Sequence, residues 1–281
     1  MYHTTNDTTT VIGCATATVI ADTMAERTGG RIMTLELVYP RIIHAEFLTH
    51  RVFSRNAASS RATPVATCLE EVERRPYVPS QWLKNKPGMA GGEPFDAEDA
   101  AAIASDIKLL RQMTTAVVRR LMELGVSKQQ ANRYLEPFMY IRTLVTATDW
   151  DNFFKLRLDK AHVQPEMYDL ARAMRIAIDK STSVVGRIHL PYIDWDVSGA
   201  IGDEDCVAAM ISAARCARVS YLTHDGKAPD KEKDLALANR LWEEGHLSPF
   251  EHQAWAKFPP YYYSSNFRGW SSARRYFSGQ S

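Results

Sequence analysis

The chain has 281 residues and a formal net charge of +1, because 34 basic residues nearly balance 33 acidic ones. Hydrophobic residues make up 45% and charged residues 24% of the sequence, as is typical of a globular protein with enough apolar residues for a core. The balanced charge argues against a broad basic surface for nucleic acid, and no apolar run is long enough to span a membrane. The polar stretch 1–10 lacks the basic and apolar regions of a signal peptide.

The sequence contains four cysteines, Cys14, Cys68, Cys206 and Cys216. No two of them form a CxxC pair, so neither a zinc ribbon nor a redox-active dithiol is indicated. Four cysteines in a chain of this length are typical of small apolar side chains in a reducing compartment. We therefore expect a soluble cytoplasmic protein.

The first third of the chain contains the clearest strand signal. Residues 1–10 are expected to be loose, and residues 11–20 are mostly small or β-branched. From Arg31 to Val38 apolar and polar residues alternate, which predicts a half-buried strand that ends at Pro40. A helix is expected over 42–48, and the prolines and glycines of 76–96 predict a surface loop.

Helices dominate the rest of the predicted structure. Asp96 is placed to cap a long helix that ends near Leu124, before Gly125. A buried face is expected on this helix from apolar residues spaced three or four apart, namely Ile103, Ile107, Leu110, Thr114, Val117, Leu121 and Leu124. A short helix capped by Ser127 ends before Pro137, and further helices are predicted near 149–158, 165–179, 205–216 and 230–244.

Residues 186–204 contain proline, glycine and aspartate and are predicted to form a linker. We nevertheless favour one domain over residues 1–281, because the chemistry considered below needs residues from both sides of the linker. Long helices and few strands place the chain in the α+β class.

The densest group of polar residues runs from His50 to Arg61. It holds three arginines, a histidine, an asparagine and three serines, with no carboxylate among them. Guanidinium groups bind phosphate oxygens in pairs and serine hydroxyls donate further hydrogen bonds, so this composition suits an anion-binding cradle. A solvated basic loop is the alternative that composition alone leaves open.

A second polar group, residues 246–252, follows the predicted helix stop at Gly245. His246 and His252 are six residues apart, whereas a zinc-binding helix places its histidines four apart, and Pro249 interrupts any helix here. We therefore predict no metal site. A capped turn with polar side chains is the simpler alternative.

A third group combines arginines with aromatic residues on segments that are predicted to be helical. Its members are Arg133, Arg142, Asn152, Phe153, Phe154 and Arg157. Arginines near aromatic rings suit a planar, oxygen-bearing ring or a phosphate. Surface ion pairs with Asp149, Asp151 and Asp159 are the alternative.

Together these motifs resemble the flavin-dependent thymidylate synthase family of the ThyX type. The family's Arg-His-Arg element, followed by Ser, Asn, Ser and Arg, is similar to Thr49-His50-Arg51 with Ser54, Asn56, Ser59 and Arg61. Its His-x-Ser/Thr-Pro-Phe-Glu-His turn is similar to 246–252, and its Ala-Arg-Val-Ser-Tyr stretch to 217–221. A third similar block comprises 121–137, 152–157 and 164–166.

Two features depart from the family pattern. The Ser-Tyr and Pro-Phe-Glu-His blocks precede the Arg-His-Arg block in the family but follow it here, as in a circularly permuted chain. Such an order can preserve a site when the original chain ends lie close together. In addition, Thr49, Ala57 and Ala62 replace the family's first arginine, an acidic residue and an aromatic residue. Thr49 and Ala57 stand where relatives help to hold flavin or nucleotide.

The resemblance implies a ThyX-like mixed fold, with a small antiparallel sheet flanked by long helices, and a role for each matching residue. Flavin, as FAD, would be bound by His50, Arg51, Val52, Asn152, Ser220, His246 and Ser248. The phosphate of a deoxypyrimidine monophosphate would be bound by Ser59, Arg61 and Arg133, and Arg157 would also face the pyrimidine ring. Arg157 and Arg51 are the expected catalytic residues. Relatives are homotetramers whose sites combine residues of several subunits.

The implied reaction transfers a one-carbon unit from methylenetetrahydrofolate to C5 of the nucleotide, with NADPH as the reductant. The sequence has no Pro-Cys-His motif for a thiolate route, whereas Arg157 suits a route in which negative charge develops on the ring oxygens. Hydride delivery would convert dUMP to dTMP. Attack by water would instead give a hydroxymethyl nucleotide from dUMP or dCMP, and Asp149 or Asp151 would then accept a hydrogen bond from a cytosine amino group. A non-catalytic protein that binds nucleotides or RNA is the alternative of another class.

Overall fold

The computed structural model of the protein describes residues 8–193, 203–219 and 230–278. Its strands are β1 (Thr10–Ile12), β2 (Ala15–Ala25), β3 (Arg31–Pro40), β4 (Ser54–Ala57), β5 (Tyr140–Ala147), β6 (Val184–Gly186), β7 (Ile188–His189), β8 (Ala254–Ala256), β9 (Tyr263–Ser264), β10 (Phe267–Arg268) and β11 (Trp270–Ser272). Its helices are α1 (His44–Phe47), α2 (Val65–Arg74), α3 (Ala97–Glu123), α4 (Lys128–Ala131), α5 (Asp151–Arg157), α6 (Pro165–Lys180), α7 (Asp203–Ala217), α8 (Lys231–Glu243) and α9 (Ala273–Phe277). Short 3-10 turns occur at Arg41–Ile43, Asn132–Tyr134, Glu136–Phe138 and Ser248–Glu251.

The main sheet has the strand order β1-β2-β3-β5-β4, and its neighbouring strands along this order are antiparallel. β6 joins the end of β2 in parallel. The two faces predicted for β3 are confirmed, because Leu35 and Leu37 lie in a core cluster with Leu170 and Met174 of α6. The strand is not half-buried as predicted, however, since Thr34 on its polar face is also fully buried beneath the C-terminal part of the chain. Thr34 points to the opposite face of the sheet, as the pleat requires. The predicted α+β class, with a small antiparallel sheet flanked by long helices, is confirmed.

Strand β5 was not predicted, and Arg142 therefore lies on a strand and not on a helical segment. Its five residues from Thr143 to Ala147 are all buried, since β5 lies between β3 and β4 with both faces covered. A strand that is buried on both faces shows no alternation of polar and apolar residues. The sequence pattern consequently did not reveal this interior strand of the sheet.

The long helix α3 begins as predicted, with the Asp96 side chain accepting a hydrogen bond from the Asp99 amide. The predicted buried face is only partly correct, however, since Leu110, Val117 and Leu124 are each more than half exposed. Val118 is the buried apolar residue of the helix, because α3 packs against α2 and α4 along a narrow line. The wider apolar stripe of α3 stays on the surface of the single chain.

The C-terminal part of the described chain packs on the face of the sheet opposite α6. Helices α7 and α8 share a cluster with Phe250 of the 3-10 turn, as the predicted helices near 205–216 and 230–244 imply. Strands β11, β8 and β7 form a separate antiparallel sheet. β7 lies inside the predicted linker 186–204, of which residues 194–202 are outside the described ranges.

No helix in the described ranges is long and apolar enough to cross a membrane. All four cysteines are unpaired, and Cys68 and Cys216 are buried. Burial, with nearby acidic groups, raises the pKa of Cys14 to about 12 and that of Cys68 to about 11. Burial also raises the pKa of Cys216. These three thiols are therefore protonated at neutral pH.

Candidate functional site

Strand β4 carries the centre of the polar motif and joins it to the C-terminal part of the chain. Its residues alternate, so Ser54 and Asn56 share the face of the sheet that the C-terminal part covers. The Asn56 side-chain amide donates a hydrogen bond of 2.9 Å to the backbone carbonyl of Cys216 at the end of α7. Ser248 Oγ lies 3.5 Å from Asn56 Oδ1. The structure thus brings two motifs together that are almost 200 residues apart in sequence.

His50 and Arg157 are in direct contact, as expected for two residues of one site. Arg157 Nε donates to His50 Nε2 at 3.0 Å, so the proton of the neutral ring is on Nδ1. The His50 ring is 7% exposed and packs edge-on against Phe153, with ring centroids 4.8 Å apart. Burial, and then the charges of Arg157 and Arg55, lower the pKa of His50 to about 4. His50 is therefore a neutral hydrogen-bond acceptor that orients Arg157.

Glu46 of α1 holds the other side of the Arg157 guanidinium. Its Oε1 lies 2.5 Å from Arg157 Nη1, and the two side chains are 31% and 20% exposed. A charge-assisted contact of this length fixes the plane of the guanidinium. Sequence analysis missed Glu46, although its position four residues before His50 places it within one turn of the motif. Its pairing with Arg157 depends on a contact across more than 100 residues.

A small polar network holds in place the loop that was predicted to bind an anion. The Asn132 side-chain amide donates to the backbone carbonyls of Ser60 and Thr63, at 2.7 Å and 2.9 Å. Ser60 Oγ donates to Glu136 Oε1 at 2.6 Å, and Arg133 Nη1 donates to the same oxygen at 2.9 Å. These bonds fasten the loop that carries Ser59 and Arg61 onto the segment that carries Arg133.

Glu136 also forms an ion pair with Arg41, with 3.1 Å between Arg41 Nη2 and Glu136 Oε1. Neither Glu136 nor Arg41 was predicted. The carboxylates that the motif itself lacks are thus supplied by other parts of the chain. Arg61 is exposed and Arg133 is half exposed, so both guanidiniums remain accessible to a phosphate.

Several predicted flavin residues lie on the surface of the chain. Arg51 and Asn152 are exposed, the Val52 side chain is 46% exposed, and His246 lies 3.5 Å from Glu244 with about half of its side chain exposed. Within the described ranges, no hydrogen bond or ion pair joins these four residues to the His50–Arg157 pair. Ser220, the remaining predicted flavin residue, is outside the described residues, as is Tyr221 of its motif.

The alternative of surface ion pairs is partly correct, but with different partners. Arg142 pairs with Glu36 at 3.2 Å, Arg157 with Glu46 and Arg133 with Glu136, whereas Asp149 lies 3.8 Å from Arg268. Arg142 and Glu36 thus form an ion pair on the face of the sheet that is opposite α6.

The two histidines of the 246–252 turn lie in different environments. His246 is exposed, whereas His252 is fully buried with its Nδ1 2.8 Å from Thr146 Oγ1. In the part of the chain that the structure describes, no group of three potential metal-binding side chains comes together.

The chain matches one known protein family, and its fold resembles that of solved structures. Residues 31–181, more than half of the chain, match the family model "Thy1: Thymidylate synthase complementing protein". No curated protein sequence matches the chain. The fold resembles the crystal structure of a UMP/dUMP methylase PolB from Streptomyces cacaoi bound with 5-Br UMP, with a TM-score of 0.50 and 18% identity over 59% of this chain and 89% of that chain. The PolB structure bound with 5-Br dUMP has a TM-score of 0.44 and 22% identity, covering 53% of this chain and 67% of the other.

Proposed function

Because this chain belongs to the Thy1 family of thymidylate synthase complementing proteins, which is the flavin-dependent thymidylate synthase family, we propose that it transfers a one-carbon unit to C5 of a deoxypyrimidine monophosphate. In the proposed reaction, methylenetetrahydrofolate supplies the carbon, NADPH supplies the reducing equivalents, and dUMP is converted to dTMP. The observation that carries the proposal is the contact between His50 and Arg157, which links the histidine–arginine motif to the arginine expected to face the nucleotide.

We propose that the chain binds a flavin, and the chemistry of its exposed residues supports this. The exposed side chains of Arg51, Asn152 and His246 offer donors for the carbonyl and diphosphate oxygens of FAD, and Val52 offers apolar surface for its ring system. Together with His50 and Ser248, and with Ser220 outside the described residues, they are the proposed FAD-binding residues. Bound FAD would supply the electron transfer, while the protein binds, orients and polarises the reactants.

Arg157 is the proposed catalytic residue for the nucleotide. Two of its nitrogens bond His50 and Glu46, which leaves Nη2 to donate to a pyrimidine oxygen. A donor that is fixed before the substrate binds stabilises charge that develops on that oxygen without reorganising. Arg51 is the second proposed catalytic residue, and its exposed side chain lies in the same motif.

Ser59, Arg61 and Arg133 are the proposed phosphate-binding residues. Their segments are fastened together by Asn132 and Glu136, so two accessible guanidiniums and a hydroxyl are presented from one rigid base. This arrangement suits the doubly charged phosphate of a nucleoside monophosphate. The raised pKa values of Cys14, Cys68 and Cys216 further favour the flavin route over a thiolate route.

We further propose that the chain forms one catalytic domain over residues 1–281 and acts as a homotetramer. The Asn56–Cys216 bond supports the single domain and the permuted order, because it joins the motif at residues 50–61 to the C-terminal part of the chain that carries the other motifs. The exposed apolar stripe of Leu110, Met113 and Val117 on α3 supports burial of this helix against another copy. A cytoplasmic location is supported by the four unpaired cysteines.

The experiment that tests the proposed function combines a flavin spectrum with identification of the product. The purified protein is loaded with FAD and incubated with methylenetetrahydrofolate, NADPH and either dUMP or dCMP. The nucleotides are then separated, and their masses are measured by mass spectrometry. We expect the flavin bands to bleach and dUMP to become dTMP. A hydroxymethyl product from either nucleotide would mean that the protein is a hydroxymethylase and does not form dTMP. Failure to bind FAD, with salt-sensitive binding of any nucleotide, would favour a non-catalytic binding protein.

A further inference from the structure

Strands β9 and β10 form a hairpin that is firmly attached to one end of the main sheet. Its strands are antiparallel, with Phe267 opposite Ser264, and both of these side chains are fully buried. Phe267 belongs to a core cluster with Trp270, whose indole donates a hydrogen bond of 3.1 Å to the backbone carbonyl of Gly30. The outer residues of the hairpin are therefore presented from a fixed base.

The same end of the sheet carries the chain segments that form the candidate site. β4 begins there at Ser54, directly after the polar motif, and β5 ends there shortly before α5, which carries Arg157. Asn266 Nδ2 of the hairpin donates to Ser54 Oγ at 3.3 Å, and the Arg268 backbone amide donates to Thr148 Oγ1 at 3.0 Å. The seven residues of α5 span about 10 Å, so the hairpin and Arg157 lie at opposite ends of one short helix.

Three aromatic side chains of this segment point away from the core. Phe258 is 65% exposed, Tyr261 is 75% exposed and Tyr263 is 59% exposed. Single exposed apolar residues are common on protein surfaces, whereas a group of them marks a binding surface. We call residues 257–268 the aromatic platform.

Positively charged groups accompany these rings. The Arg27 guanidinium lies over the Phe258 ring, 5.0 Å from its centroid. Arg268 Nε donates to the Tyr263 hydroxyl at 2.8 Å, and Arg268 Nη2 lies 3.8 Å from Asp149. The sequence of the platform contains a further lysine and no acidic residue. Exposed aromatic faces beside positioned guanidiniums suit a ligand that combines a flat ring with carboxylates.

We propose that the aromatic platform binds the aminobenzoyl-glutamate part of the folate co-substrate, so that the benzoyl ring stacks on Tyr261 and the carboxylates pair with Arg27 and Arg268. The pteridine part, with the methylene carbon, then extends along α5 toward Arg157. This inference rests on the proposed function, which requires methylenetetrahydrofolate but assigns no residue to it. The platform lies outside residues 31–181, so the match to the family model does not account for it.

The test measures folate binding directly, by isothermal titration of the protein with 5-formyltetrahydrofolate in the presence of FAD. Tyr261→Ala removes the most exposed ring and should weaken folate binding about 10-fold, whereas Tyr261→Phe keeps the ring and should bind folate as the wild type does. Tyr134→Ala is the matched control, because Tyr134 is 59% exposed and lies outside the platform. Equal folate affinities of Tyr261→Ala and Tyr134→Ala, or a wild-type protein that binds no folate, would overturn the proposal.

The role of the two guanidiniums is tested with the carboxylates of the ligand. The double variant Arg27→Gln/Arg268→Gln should lose about 10-fold more affinity for 5-formyltetrahydrofolate with three glutamates than for the form with one, since the longer tail brings more negative charge to the platform. An equal loss for both forms would mean that the platform does not bind the carboxylates. A single-stranded dT oligonucleotide is titrated in parallel, because exposed aromatic rings also stack on bases. Oligonucleotide binding that depends on Tyr261, without an effect of Tyr261 on folate binding, would replace the proposal with a nucleic-acid surface.

Product formation distinguishes a failure of this proposal from a failure of the proposed function. We expect Tyr261→Ala to raise the KM for methylenetetrahydrofolate about 10-fold and to leave the KM for dUMP unchanged. If the wild type forms dTMP and Tyr261→Ala has the same folate KM as Tyr134→Ala, the platform proposal is wrong and the proposed function stands. If Tyr261→Ala weakens folate binding but the wild type forms no dTMP, the platform proposal stands and the proposed function is wrong.

Discussion

Replacement of Arg157 by lysine tests the role of the guanidinium, because lysine keeps the charge and loses the geometry. Arg157 bonds His50 through Nε at 3.0 Å and Glu46 through Nη1 at 2.5 Å, with Nη2 left for the substrate. A single ammonium group cannot make both structural bonds and still present a donor in a fixed direction. The expected loss is that of one preorganised donor to a developing oxyanion, about 2.7 kcal/mol at the lower end of the usual range, or about 10²-fold in kcat/KM.

The assay is the initial rate of dUMP conversion over a range of nucleotide concentrations. We expect kcat to decrease more than KM increases, because the missing bond strengthens as charge develops in the transition state. Arg175→Lys is the matched control, since Arg175 is a half-exposed arginine on α6 that pairs with Asp179 and lies over the Phe154 ring but bonds neither His50 nor Glu46. A folded R157K protein with the same kcat/KM as R175K would refute the proposed role of Arg157.

Three further predictions concern stability and assembly. Asn56→Ala removes the buried hydrogen bond to the Cys216 carbonyl at the end of α7, which is then left with the longer, 3.4 Å bond from the Val219 amide. The substitution should lower the free energy of unfolding in urea by about 1–3 kcal/mol, whereas Asn152→Ala, at an exposed position, should change it by less than about 0.5 kcal/mol. Equal effects would mean that Asn56 does not tie the two ends together. The free energy of unfolding should decrease as the pH falls from 7 to 5, because the folded protein keeps His189 and His252 neutral while the unfolded chain binds protons near pH 6.5. Each ring should lower the free energy of unfolding by about 2 kcal/mol at pH 5. A free energy of unfolding that stays constant on acidification would contradict the lowered pKa values. Val117→Lys places a charge on the apolar stripe of α3 and should shift the mass in light scattering from tetramer to smaller species, so an unchanged mass would place the subunit contact elsewhere.

The elements with local signals were predicted well from the sequence. The alternation of β3 and the Asp96 cap of α3 both depend on neighbours within a few residues, and both are confirmed. Strand β5 was missed because both of its faces are covered, so its residues carry no alternation. The buried face of α3 was predicted too wide, because its apolar stripe exceeds what α2 and α4 cover. A helix pattern records which residues are apolar and not which of them the same chain buries.

The candidate site shows the same division between local and distant information. The motif identified His50 and Arg157 as residues of one site, and the structure brings them into contact. It did not identify Glu46 or Glu136, since each acquires its role from an arginine or serine elsewhere in the fold. Asn56 was known only as a motif position, and the fold adds that its amide holds the C-terminal part of the chain. Residues that orient other residues leave little trace in a single sequence.

The most direct test of the account is to follow the transferred carbon itself. Methylenetetrahydrofolate labelled with carbon-13 in its methylene group is incubated with the FAD-loaded protein, NADPH and dUMP, and the nucleotide is examined by carbon-13 NMR. The account predicts a labelled methyl group on C5 of the pyrimidine, which the R157K protein forms about 10²-fold more slowly. Label that stays entirely in the folate, while the flavin is bound and reduced, would contradict the transfer of a carbon to the nucleotide.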